Sequence, residues 1–261
     1  MKTQDTAKPR PTIILVHGAT LNGRMWDPVR RHLDPAYDVV AVDLPGHGSR
    51  TDRYTLEGAR KVIAEAARSV APAPVILAGD SLGGYSSMAA ASAIPKEQLR
   101  GLVLGGATFQ FVGPGVIPYV LKGALFGVLA KVFGDQKLSD RLMPKALMGE
   151  FKLDAADAKA IMDAKIRSSA FGDAVHALRG IDFRAILAAI PQPVLLVNGE
   201  GDTVNVRQEQ SFLEVARDGR THRFGCKHGV SLWHPKEFAG LINAFARQVL
   251  HDPKTARAAA P

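Results

Sequence analysis

The chain is 261 residues long, with 46% apolar and 22% charged residues. That suffices to bury a sizeable core in one domain, or one domain with an insertion, and it excludes a disordered chain, a fibre and a small disulfide scaffold. Lys and Arg number 33 against 25 Asp and Glu, a net charge of +8, but Lys2, Lys8, Arg10, Lys254 and Arg257 put part of the excess near the ends, and no dense basic run is interleaved with aromatics, so no nucleic-acid partner is expected.

Residues 1–11 are polar and lack the apolar stretch of a secretory signal. The only cysteine, Cys226, leaves no internal disulfide and no CxxC metal site. The expected compartment is the cytoplasm, and neither metal nor cofactor is expected. The first apolar run, Thr12–Gly18, is β-branched and ends in glycine, as a strand buried on both faces would. Asp38–Gly48 repeats the form with a Pro/Gly loop, and so do Val75–Gly84, Leu99–Ala107 and Pro193–Asp202; Thr221–Gly229 is a weaker sixth. Helical patterns lie between most of them. Thr55 is a candidate cap for Leu56–Ser69, an Ala-rich stretch over Leu82–Ile94 stops before Pro95, and apolar positions 238, 241, 242, 245 and 249 form a stripe. Strands alternating with helices predict an α/β fold, a mostly parallel sheet flanked by helices, with functional residues at the carboxyl ends of the strands.

Residues 108–190 break this rhythm and are read as several inserted helices. Phe109–Phe133 is the most apolar part, interrupted by Pro114, Pro118, Lys122 and Lys131. No unbroken run reaches the ~18 residues of a membrane span, so no stable membrane insertion is expected, and a cap over a pocket is preferred to plain core packing. The expected organisation is a core of residues 10–107 and 191–251, a helical cap of 108–190, and flexible tails at 1–9 and 252–261.

Gly79-Asp80-Ser81-Leu82-Gly83 fits G-x-S-x-G, with a strand pattern before it and a helix pattern after it. A sharp strand-to-helix turn exposes the serine oxygen, needs small residues two before and two after it, and aims the next backbone N–H at a developing oxyanion. Serine also needs a base. His228, after the sixth strand, is favoured among eight histidines; His17, His47 and His234 are its rivals. Asp202, after the fifth strand, is favoured as the acid that orients the base, with Glu200 and Asp43 as rivals. The loop after the first strand should give a second oxyanion donor, assigned to the amide of Ala19 with Thr20 as rival. Cys226 reads as a small strand residue, since Ser81 already fills the nucleophile's place.

With these segments in view, the chain resembles the α/β-hydrolase superfamily over most of residues 12–107 and 193–250. The resemblance is carried by VHGATLNGRMWDP (16–28), VVAVDLPGHGSR (39–50), AGDSLGG (78–84), PVLLVNGEGD (193–202) and KHGVSLWHPKEFAGLINAF (227–245). It implies an α/β-hydrolase fold, a Ser81–His228–Asp202 triad, an oxyanion hole from the amides of Ala19 and Leu82, and a cap formed by residues 108–190. It also implies a reduced, mainly parallel sheet similar to that of compact esterases and hydroxynitrile lyases. Asp80 departs from the pattern, since many relatives carry His there; it is either solvent-facing or bonded to a neighbouring loop. Ser81 in place of a nucleophilic Asp argues against haloalkane dehalogenase and epoxide hydrolase chemistry.

The expected function is cofactor-independent hydrolysis of a carboxylic ester through an acyl-enzyme. The partner is a small-molecule ester or related carbonyl compound, and a homodimer is left open. Thr20, Phe109, Phe111, Ile117, Tyr119, Leu121, Leu125 and Phe126 are the expected pocket residues, for an apolar or aromatic acyl group. Three alternatives share the same residues: a carbon–carbon bond hydrolase of a diketone or dienoate, a lyase using Ser81 and His228 as an acid–base pair (a nearby lysine would suit cyanide, and Lys227 is adjacent in sequence but points either inward or outward), and a slow-turnover ligand receptor.

Overall fold

The computed structural model describes residues 9–251. The expected tails fall outside the described residues, residue 9 aside. Six strands are described: β1 (Thr12–Val16), β2 (Asp38–Val42), β3 (Val75–Asp80), β4 (Leu99–Gly105), β5 (Val194–Gly199) and β6 (Gly219–Phe224). They form one sheet in the order β2-β1-β3-β4-β5-β6, with every neighbouring pair parallel. The order reverses between β1 and β3, so the loops after these two strands part there and leave a crevice at the carboxyl edge.

Both faces of the sheet are covered, which is why the central strands read as unbroken apolar runs. Ile14, Val16, Leu77, Leu102, Leu104 and Leu196 face one core, while Ile13, Leu15, Ile76, Val103 and Val197 face the other. The first core is closed by α2 (Leu56–Ser69), α3 (Leu82–Ala91) and α9 (Thr203–Leu213); the second by α1 (Asp27–Arg30) and α11 (Pro235–His251). The stripe on α11 buries Phe238, Ile242, Phe245 and Val249. Each such side chain taken fully out of water contributes roughly 1.5–3 kcal/mol before entropic costs. Thr55 caps α2 as expected, its Oγ1 accepting the Gly58 N–H at 3.0 Å. The weak sequence signal of β6 has a physical reason: it is an edge strand whose residues are exposed or half-buried.

Between β4 and β5 the chain is helical: α4 (Ile117–Phe133), α5 (Asp135–Pro144), a π-helical turn (Lys145–Glu150), α6 (Ala155–Asp163), α7 (Ala170–Leu178) and α8 (Phe183–Ala188). Two features differ from expectation. α8 packs on α3 and α9 and contributes Phe183 and Leu187 to the first core, so residues 183–190 join the layer beside the sheet. α4 also runs unbroken through Pro118, because a proline in the first turn removes no internal hydrogen bond. With the turn before it, Pro114–Phe133 is the one helix among the described residues long and apolar enough to cross a membrane by length and composition. α4 lies against α7 where Gly123 meets Gly172: a Cβ on Gly123 would stand 2.8 Å from the Gly172 Cα.

Candidate active site

β3 ends at Asp80 and α3 begins at Leu82, leaving Ser81 alone in the turn. Its backbone sits at φ 55° and ψ −117°, a conformation costly for any residue with a Cβ. The strain is held by the Ser81 N–H donating to the Gly105 carbonyl at 2.6 Å and by the Gly84 N–H donating to the Ser81 carbonyl at 2.9 Å. The flanking glycines are sterically required. A Cβ on Gly79 would lie 2.3 Å from the Gly83 carbonyl oxygen, and one on Gly83 would lie 1.9 Å from the Val16 carbonyl oxygen.

The loops after β5 and β6 bring two more side chains to this turn. Ser81 Oγ–H donates to His228 Nε2 at 2.8 Å, and His228 Nδ1–H donates to Asp202 Oδ2 at 2.5 Å. Asp202 is buried and caps α9, where it also accepts the Asn205 side-chain N–H at 2.9 Å. Gly106, at φ +55°, lets the chain pass close by: a Cβ there would meet His228 Cε1 at 2.8 Å.

Burial alone would raise the Asp202 pKa, but hydrogen bonds from His228 and Asn205 outweigh it and hold the carboxyl below its usual value. Burial likewise disfavours charge on His228, yet the bond to Asp202, aided by the charges of Asp202 and Asp80, leaves its pKa raised.

The rival residues are engaged elsewhere. His17 is fully buried, donates from Nδ1 to the Gly18 carbonyl at 2.8 Å and accepts the Leu44 N–H on Nε2 at 3.0 Å. Burial, then the neighbouring His47, pushes its pKa down to about 3. His47 is buried against the Pro45 carbonyl, and burial lowers its pKa too. His234 stacks on Phe224 with ring centroids 5.2 Å apart. Asp43 accepts the backbone N–H groups of Gly23 and Ser49, and Glu200 is exposed. Cys226 is buried just beyond β6; burial, then nearby carboxylates, pushes its thiol up to about 11, so it holds no ready thiolate.

Two cavities meet at Ser81. One, of about 280 Å³, runs under α4 and α7 among Tyr85, Phe109, Phe111, Tyr119 and Phe171. The other, of about 370 Å³, runs past Thr20, Met25, Phe126, Leu147 and Phe151. Ala19, Ser81, Lys122, Phe171 and His228 border both, and Leu82 borders the first. The backbone N–H groups of Ala19 and Leu82 have no acceptor among the described residues. Of the expected pocket residues, Thr20, Phe109, Phe111, Tyr119 and Phe126 therefore reach the site. Ile117, Leu121 and Leu125 do not, being 54%, 65% and 56% exposed on the outer face of α4. The reason is helical phase. Tyr119, Gly123 and Phe126 share the inward row, with the exposed Lys122 at its edge, and a helix apolar on nearly every side gives periodicity no direction to report.

Two contributors, Asn205 and Lys122, had no role assigned from the sequence, and Asp80 had two open alternatives. Asn205 steadies Asp202 and also accepts the Thr108 N–H at 2.7 Å. Asp80 is buried and bonded to a neighbouring loop: its Oδ2 accepts the Ser231 N–H at 3.2 Å and the Ser231 hydroxyl as well. It thus ties the strand before Ser81 to the segment after His228. Lys122, read only as an interruption of an apolar run, lies at the junction of the two cavities. Among the described residues no cluster of three or more His, Cys, Asp and Glu could hold a metal ion.

A parallel doubly wound sheet, a strained serine at a strand-to-helix turn and helices inserted after β4 define an α/β-hydrolase fold. The chain belongs to the alpha/beta hydrolase family, whose model matches residues 13–241. A pimeloyl-[acyl-carrier protein] methyl ester esterase of Stenotrophomonas maltophilia is 28% identical over 249 residues, covering 90% of this chain and 92% of that protein. One from Xanthomonas oryzae is 38% identical over 116 residues, 44% of each chain. Among solved structures, a thermophilic esterase from Thermogutta terrifontis matches with a TM-score of 0.74 at 19% identity, covering 93% of this chain and 92% of that one.

Proposed function

We propose that the chain is a serine hydrolase that cleaves carboxylic esters through an acyl-enzyme. The observation that carries this reading is the hydrogen-bonded line from Ser81 through His228 to Asp202, set on a strained turn at the meeting point of two cavities. His228 takes the Ser81 proton as the oxygen attacks the ester carbonyl. Asp202 holds the ring with Nε2 free to accept and stabilises the imidazolium. The amides of Ala19 and Leu82 receive the oxyanion, each such donor being worth about 3 kcal/mol in the transition state. His228 returns the proton to the leaving alcohol, and water then releases the acid by the same steps. Helices α4 to α7 serve as the cap.

The aromatic cavity under α4 fits a medium-length or aromatic acyl group better than acetate. In a series of p-nitrophenyl esters from acetate to decanoate, kcat/KM is expected to peak at a middle length; a maximum at acetate would overturn the pocket assignment. The esterase relatives add methyl esters of linear acyl chains to the panel. The lysine of the lyase alternative is not Lys227, which is exposed and lies 3.7 Å from Glu150. Cyanide release from a cyanohydrin, without an adduct on Ser81, would replace the ester reading.

A general base must be unprotonated, and the hydrogen bond to Asp202 holds the His228 pKa above the usual histidine value. The acid limb of kcat/KM is therefore expected at higher pH than an unperturbed histidine would give, with activity falling as the pH drops through it. Asp80→Asn removes a charge that raises the His228 pKa. The variant's acid limb is expected to shift to lower pH; an unmoved limb would leave Asp80 a purely structural tie.

A further inference from the structure

The walls of the two cavities that meet at Ser81 are largely apolar, and their charged groups are few. Asp202 is engaged by His228 and Asn205, and Asp80 by Ser231. His228 is held between Asp202 and Ser81. The one remaining charged side chain bordering either cavity is Lys122, and it borders both. Its ammonium has no carboxylate within 4.0 Å among the described residues. It rests over two aromatic faces instead, 5.2 Å from the Phe171 ring centroid and 5.7 Å from that of Phe126. A lysine serving only to solubilise the helix would extend from the outer face of α4, yet that face carries Ile117, Leu121, Leu125, Val128 and Val132, all exposed. Lys122 is itself solvent-accessible, so its ammonium stands at the shared mouth of the two cavities, beside that apolar face. Rings facing an ammonium hold it by their negative faces without neutralising it. The charge is left available to whatever shares the cavity with Ser81.

We propose that Lys122 is a specificity-determining residue that selects esters carrying a second, ionised carboxylate, that is, half-esters of dicarboxylic acids. This rests on the ester-hydrolase reading of Ser81 and deepens it by naming the substrate class. The carboxylate accepts hydrogen bonds from the Lys122 ammonium while the ester carbonyl lies at Ser81. The span between the two groups fixes a preferred chain length. A neutral ester of the same length fills the same apolar walls and leaves the ammonium unpaired. The gain expected for the charged substrate is about tenfold, at the low end for a contact to a charged group, because the ammonium keeps part of its water.

The test compares monomethyl succinate, glutarate, adipate and pimelate with neutral methyl esters of equal chain length, in the full-length protein and in Lys122→Met, Lys122→Arg and Lys122→Glu. The quantity read is the ratio of kcat/KM for the charged ester to that for its neutral partner. Any general effect of the substitution on His228 or on packing cancels in this ratio. In the wild type the ratio should exceed unity by about tenfold at one chain length. It should fall to about one or below in Lys122→Met, survive in Lys122→Arg and fall further in Lys122→Glu. The same ratio in the wild type and Lys122→Met would overturn the proposal. If no ester of either kind is cleaved, the ester reading fails, and the Lys122 assignment is then decided by calorimetric binding of free glutarate and adipate. Binding that Lys122→Met abolishes supports the site, and no binding, or equal binding by both proteins, rejects it.

Discussion

Ser81→Ala is expected to leave a folded protein with no measurable ester turnover and no reaction with a fluorophosphonate. Ser81 Oγ is the one atom of the site placed both to attack a carbonyl and to pass its proton to His228, 2.8 Å away. In hydrolases of this kind, loss of the nucleophile lowers kcat on the order of a millionfold, and what remains comes from binding and the oxyanion donors. Alanine keeps the Cβ and the same strained backbone, so folding should be little affected. Intact-mass spectrometry checks both proteins directly. A single adduct on the wild type that is absent from the variant is the expected outcome; an adduct of equal yield on Ser81→Ala would remove Ser81 from the mechanism.

The second large effect concerns stability. Gly83→Ala would place a methyl group 1.9 Å from the Val16 carbonyl oxygen and 2.8 Å from that of His17. Neither backbone atom can yield alone. Val16 is paired in register with Val42 and Gly79, and the first turn of α3 is fixed by the bonds around Ser81. Relief therefore requires α3 to lift from β1, opening a core that contains Leu82, Tyr85 and Met88. The cost is expected to exceed about 4 kcal/mol, in the range reserved for forced core rearrangement. For a chain of this size that lowers Tm by about 10 °C or more, or yields insoluble protein. Gly240→Ala is the matched control, because Gly240 lies in α11 and a Cβ added there would have nothing within 4 Å. There alanine should be neutral or raise stability by about 0.5–1 kcal/mol. Thermal unfolding of both variants side by side separates them; an unchanged Tm for Gly83→Ala would mean that the turn is far more pliable than its geometry indicates.

Legibility in the sequence followed the strength of the local constraint. β1, β3, β4 and β5 were readable because strands buried on both faces are apolar at most positions. Ser81 was readable because its turn admits only glycine at 79 and 83. The order of Ser81, Asp202 and His228 followed from placing each after a strand of one parallel sheet. One matter was only weakly readable and two were not. β6 is an edge, so solvent erased its pattern. Asp80 and Ser231 are 151 positions apart, and neither residue type announces a partner. α4 defeated periodicity altogether: with apolar residues all round, Ile117, Leu121 and Leu125 looked as suited to the pocket as Tyr119 and Phe126. Only its packing on α7 through Gly123 and Gly172 sets which row turns inward.

That single row has a consequence for how the molecule can change. Tyr119, Lys122 and Phe126 occupy successive turns of α4, contribute no hydrogen bond to the sheet and belong to none of its strands. The reacting groups are anchored on β3, β5 and β6 through their following loops. On the proposed reading, part of the selection of the guest is therefore written in a stretch of chain separate from the reacting groups. On that same reading, a small library confined to positions 119 and 126 redirects preference among esters without touching Ser81, Asp202 or His228, whereas removing the charge at 122 also relieves a cation that lowers the His228 pKa.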